Sequence, residues 1–158
     1  MKISNSIKLI ISLVICQLAG IIGSLFTMSK IPTWYMTLNK PELAPPNWIF
    51  GPVWTTLFIL MGIALYLVWK QGIDRKDVKI ALCIFGTQLI LNVLWSIIFF
   101  GLENPGSAFI EIISLWISIL LSIIYFYKIN KTAGYLLIPY IAWVSFASYL
   151  NYMIWWLN

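Results

Sequence analysis

Long apolar runs separated by short polar breaks dominate the chain. A helix needs about 20 apolar residues to cross roughly 30 Å of hydrocarbon. Five runs meet that length and predict spans near residues 7–28, 46–69, 78–102, 105–127 and 133–157. The breaks are local stop signals. "KQGIDRKDVK" (Lys70–Lys79) is charged and contains Gly72, and "KINKTAG" (Lys128–Gly134) closes the fourth run. "ENPG" (Glu103–Gly106) is a tight turn that sets Pro105 in the first turn of the next helix, where its missing N–H costs nothing. Unpaired backbone groups are costly in lipid, so the spans should be helical. The short alternating segments of a membrane β-barrel are absent from the pattern. The expectation is an all-α integral membrane bundle of five transmembrane helices, a single domain with a structured first loop. Short connections make sequential helices antiparallel. No internal repeat is visible, which argues against an inverted-repeat transporter.

Composition strengthens the membrane reading. Of 158 residues, 61% are hydrophobic and 9% charged, against about 25% charged in soluble domains. The net charge of +5 does not point to nucleic acid, because the basic residues lie between apolar runs rather than in a patch. They set orientation instead. Lys2, Lys8, Lys70, Arg75, Lys76, Lys79, Lys128 and Lys131 fall on one side and only Lys30 and Lys40 on the other. That bias predicts a cytoplasmic N-terminus, with the first loop and the C-terminus outside. Histidine is absent, and the two cysteines, Cys16 and Cys83, lie inside apolar runs. No metal site, disulfide framework or conventional general base is expected. Residues 7–28 form too long a run for a signal-peptide core.

Helical spacing then groups candidate site residues. Gln88, Asn92, Trp95 and Phe99 share one face of the third span, Trp54, Phe58, Met61 and Leu65 one face of the second, and Pro139, Trp143, Ala147, Leu150 and Asn151 a stripe of the fifth. Gln and Asn in such positions serve as interhelical glue or as ligand contacts, and both readings stay open. By depth, Trp54, Trp95, Asn92, Trp143 and Asn151 can meet in the outer half of one bundle. Trp69, Trp155 and Trp156 sit at span ends as belt anchors, while Trp116 is placed to face lipid. Ala19, Gly20, Gly23 and Ser24 of the first span permit close helix contact, for internal packing ahead of a dimer. Glu111 is the one acidic residue within a span. Its nearness to a helix N-terminus favours a structural role over a functional one.

The segment "WYMTLNKPELAPPNWIFGPVW" (Trp34–Trp54) interrupts the apolar pattern with four prolines and a cluster of aromatics. With "LNVLWSIIFFG" (Leu91–Gly101), Glu111 and "LLIPYIAWVSFASYLNYMIW" (Leu136–Trp155), it resembles the tryptophan-rich sensory protein and translocator protein family across all five spans. The resemblance implies a pocket between the helices that binds porphyrins such as protoporphyrin IX, and in some members sterols or isoquinoline and benzodiazepine compounds. Membrane lipid and a homodimer partner are also in keeping with it. The ligand-binding residues it implies are Tyr35, Trp54, Asn92, Trp95, Trp143, Ala147 and Asn151. Trp34, Lys40, Pro41, Pro45, Pro46 and Trp48 belong to a lid made by the first loop, with Lys30 or Lys40 facing acidic groups. No cofactor is required; porphyrin is the ligand. Some bacterial members are credited with light-dependent porphyrin degradation, for which Trp54 and Trp143 are the candidate catalytic residues. The alternatives are sensor, scavenger or carrier, photo-oxidative degrader, and a non-catalytic regulatory or structural protein. One departure stands out: Leu150 and Tyr152 match a sterol-recognition pattern, but Trp155–Leu157 occupy its basic place. Sterol binding is therefore not expected.

Overall fold

A computed structural model describes residues 4–158, all helix and connection with no strand among them. Lys2, counted above for orientation, lies outside the described residues. Five helical spans are long and apolar enough to cross a membrane: Asn5–Thr27, Asn47–Trp69, Lys76–Gly101, Pro105–Ile129 and Lys131–Leu157. Their ends lie within two residues of the expected bounds. Ser4 caps α1 (Asn5–Thr27) by accepting from the Ile7 N–H at 3.3 Å. The short helix α2 (Trp34–Thr37) lies within the first loop. A 3-10 turn, Asn47–Ile49, leads into α3 (Phe50–Trp69).

α4 (Lys76–Ser96) continues into a π-helical turn, Ile97–Gly101, closed by the Leu102 N–H donating to the Ile97 carbonyl at 2.8 Å. Glu103 then takes a left-handed φ of 52°. α5 (Pro105–Ile129) starts with Asn104 as cap and Pro105 in its first turn. The fifth span is broken at Leu137 into α6 (Lys131–Leu136) and α7 (Ile138–Leu157). Pro139 explains the break, since it has no N–H to return to the preceding turn.

The bundle closes in the order α3, α1, α4, α5, α7, with α6 wedged against α3 and α5 at the end where α3 finishes. Small residues set the α1 contacts. A Cβ on Gly62 would lie 2.9 Å from the Leu13 backbone, and one on Gly20 would lie 2.6 Å from the Phe58 ring. Gly23 abuts Ser96, so the small stripe of α1 serves internal packing. In the half of the bundle near α6 the core is tight, with Phe85 stacked on Phe126 at 5.1 Å and Met61, Val68, Ile119 and Leu137 buried in the same cluster. The opposite half, toward α2, is where the helices part.

Candidate functional site

In that half a cavity of about 310 Å³ lies between α1, α3, α4 and α7 beneath the first loop. A volume of this size falls at the lower end of ligand-binding cavities. All seven residues expected to bind ligand, Tyr35, Trp54, Asn92, Trp95, Trp143, Ala147 and Asn151, line it. Among the described residues, the lining contains no lysine, arginine, aspartate or glutamate.

Two hydrogen-bond chains hold the polar wall. The Asn92 amide donates to the Tyr140 hydroxyl at 2.9 Å, and that hydroxyl donates to Gln88 Oε1 at 2.8 Å. The Trp95 indole N–H donates to Asn151 Oδ1 at 2.9 Å, while Asn151 Nδ2 donates to the Pro105 carbonyl at 2.7 Å. Gln88, Asn92 and Asn151 are thus glue, and Asn92 and Asn151 are also cavity wall. The aromatic wall is built from edges and stacks. Trp54 stacks on Phe58 at 5.7 Å and meets Tyr140 edge-on at 6.2 Å. Trp143 meets Phe50 at 6.0 Å. Its indole Nε1 is enclosed and has no hydrogen-bond partner.

The lid docks on the π-helical turn. Successive side chains are brought closer in angle by the wider turn, and both Phe99 and Phe100 are buried. Trp34 lies 5.6 Å from Phe99 and 6.3 Å from Phe100, and Tyr35 lies 5.8 Å from Phe100. Three polar contacts add to this. Lys30 Nζ pairs with Glu103 at 2.6 Å, Lys40 Nζ stands 4.5 Å over the Tyr35 ring, and the Asn39 N–H donates to Asn158 Oδ1 at 2.9 Å. Burial pushes the Tyr35 phenol above its ordinary pKa. Pro41 is buried, Pro45 half-buried and Pro46 exposed at the start of the 3-10 turn.

Several sequence expectations change. Trp48 is 73% exposed and turned away from the cavity, so it does not close the mouth. Lys30 is engaged by Glu103, which leaves Lys40 as the lid cation nearest the cavity wall. Pro139 lines an outer groove with Pro52 and Leu60 and does not reach the cavity that Trp143 lines. Trp116 does not simply face lipid; its indole donates to Ser145 Oγ at 2.8 Å. Glu111 is only 8% exposed, and neither carboxyl oxygen has a partner among the described residues.

The α1 wall of Gln17, Gly20, Ser24 and Thr27 was not anticipated as lining. A polar or small residue at every third or fourth place marks it in the sequence. Phe50 was also missed, being hidden among loop aromatics.

The TspO/MBR family profile matches residues 12–157. The chain is similar to the tryptophan-rich protein TspO of Archaeoglobus fulgidus, with 46% identity over 154 residues, covering 98% of this chain and 99% of that one. It is similar to the human translocator protein, 38% identical over 141 residues, which cover 88% and 83% of the two chains. Protein CrtK of Rhodobacter capsulatus is 34% identical over 145 residues, covering 92% and 89%.

Proposed function

Because this chain belongs to the TspO/MBR family of integral membrane proteins, we propose that its cavity binds a tetrapyrrole such as protoporphyrin IX, as sensor, scavenger or carrier. The observation that carries the reading is the cavity's lining: three tryptophans, Trp54, Trp95 and Trp143, and no charged side chain. A porphyrin offers broad apolar faces to indoles and concentrates its charge in two carboxylates at one edge. An uncharged interior takes the macrocycle without burying an unpaired charge, and Lys40 is the cation placed for the carboxylate edge. The positive-inside bias gives the orientation that goes with this reading: N-terminus cytoplasmic, lid and C-terminus outside.

A second reading, light-dependent porphyrin degradation, draws on the presence of Trp54 and Trp143 in the same wall. An indole can donate an electron to a photoexcited macrocycle, with dioxygen as the terminal oxidant.

One titration separates the readings. Purified protein in nanodiscs, wild type, Trp54→Phe and Trp143→Phe, is titrated in the dark with protoporphyrin IX by tryptophan quenching and then illuminated in air. Saturable binding weakened by either substitution supports the site. Loss of porphyrin in light by wild type alone promotes degradation. Identical curves for all three proteins, or no saturation, refute the assignment and favour a regulatory or structural role.

A further inference from the structure

The cavity walls are unequally covered. Where α4, its π-helical extension and α7 form them, Asn92, Phe99, Phe100, Leu150, Asn151 and Ile154 are buried. Where α1 and the start of α3 form them, exposed residues join the lining: Ile21 at 55% and Met28 at 70% on one side, and Gly51, Thr55 and Asn47 of the preceding 3-10 turn on the other. These residues face each other across a cleft between two spanning helices. Its lower limit is fixed by the Gln17 side chain, which donates to the Thr55 carbonyl at 3.3 Å, and by the close contact of Gly20 with the Phe58 ring. From Ile21 to Met28 the cleft runs about 10 Å along α1 at 1.5 Å per residue. Its lower part is therefore level with hydrocarbon. The lid end is the reverse case, closed by the Trp34–Tyr35 dock, the Lys30–Glu103 pair and the Asn39–Asn158 clip.

We infer that the ligand enters sideways, from the outer leaflet of the bilayer, through the cleft between α1 and α3. The inference rests on the cavity being a ligand site, and it narrows the ligand class to flat, largely apolar molecules that partition into lipid before they bind. The lid then acts as a fixed roof, and its polar fastenings do not govern entry.

Gly51 provides the test, because a Cβ placed there meets nothing within 4 Å. Gly51→Phe puts a ring into the cleft from the α3 side, and Ile21→Trp enlarges the opposite lip. Glu103→Gln cuts the lid ion pair. Protoporphyrin IX association and dissociation are followed by stopped-flow quenching in nanodiscs. Both lip variants should slow association and dissociation together by about tenfold or more, as a narrowed passage does, with Glu103→Gln at wild-type rates. Lip variants with wild-type rates, lip variants that only speed dissociation, or faster exchange in Glu103→Gln would each overturn the portal. Wild-type protein that binds no porphyrin overturns the site reading and the portal with it. Wild-type binding with unslowed lip variants overturns the portal alone.

Discussion

Tyr140 is the residue whose loss should be felt most for the fewest atoms removed. It is 1% exposed, and its hydroxyl sits in the middle of a relay, accepting from Asn92 and donating to Gln88. Tyr140→Phe keeps the ring against Trp54 but deletes both bonds. Interhelical hydrogen bonds in membranes are worth about 0.6 kcal/mol on average and up to about 1.7, so the substitution should cost about 1–3 kcal/mol. Gln88→Leu is instructive by contrast. It deletes one bond, yet it also removes a buried Nε2 that has no partner, so its cost should be near zero. Combining the two should cost less than the sum, because Gln88 no longer leaves an orphaned acceptor when Tyr140 is gone. Reversible unfolding in mixed SDS micelles measures all three variants. If Gln88→Leu costs more than Tyr140→Phe, or if the two effects add fully, the relay does not hold α4 to α7 as described.

Other outcomes follow from single sites. Glu103 holds a left-handed φ of 52°, which costs a non-glycine residue about 1–2 kcal/mol. Its exposed pair with Lys30 returns no more than about 1 kcal/mol and is screened by salt. Glu103→Gly should therefore melt higher than wild type in concentrated salt; a lower melting point there would show that the pair outweighs the strain. Glu111 is buried with both carboxyl oxygens unpartnered, and a charge in such a place is costly. Glu111→Gln should melt at least as high as wild type at pH 8, and a clear fall would reveal a partner for the carboxylate. The raised pKa of Tyr35 comes from burial, so the native state holds the phenolic proton more tightly than the unfolded chain. The resulting stability is present below pH ~10 and is lost as pH rises through the folded pKa. Tyr35→Phe should flatten that alkaline decline in melting temperature; an unchanged slope would place the titration elsewhere.

The five helices were legible because lipid imposes a rule that survives in composition: twenty apolar residues, a polar break, and no other backbone form that pairs its own groups. Side-chain spacing also carried Trp54, Asn92, Trp95, Trp143 and Asn151 to one wall, since α-helical periodicity fixes a face whatever the packing. The errors cluster where periodicity stops. Trp48 sits in a 3-10 turn after Pro46, where the facing direction has no fixed phase, and it points out. Pro139 and Trp143 do stand four residues apart on α7, but Pro139 lies beside the break at Leu137, one turn before the cavity-lining residues begin, and lines an outer groove instead. The π-helical turn at Ile97–Gly101 has no signature in residue type, yet it brings Phe99 and Phe100 together under the lid. Glu111 was read from position alone. Its missing partner is a property of the assembled interior.

The same geometry explains how one small bundle can be both rigid and open. Near α6, glycine-mediated contact and stacked phenylalanines bring the helices together around few polar side chains, such as Ser12 and Ser122, and packing at that density resists deformation. Toward the lid the helices diverge, and dispersion alone no longer holds them. There the chain uses directional bonds, Asn92 to Tyr140 and Trp95 to Asn151, which span the gap without filling it. Those bonds run from α4 to α7, whereas among the described residues the facing edges of α1 and α3 above Thr55 have no comparable hydrogen bond. Polar struts on one side and bare edges on the other leave a cavity with a fixed back wall and a membrane-facing opening. If the proposed portal is right, shape selectivity resides in the strutted wall and exchange rate in the unstrutted one, so substitutions on the two sides should move different kinetic constants.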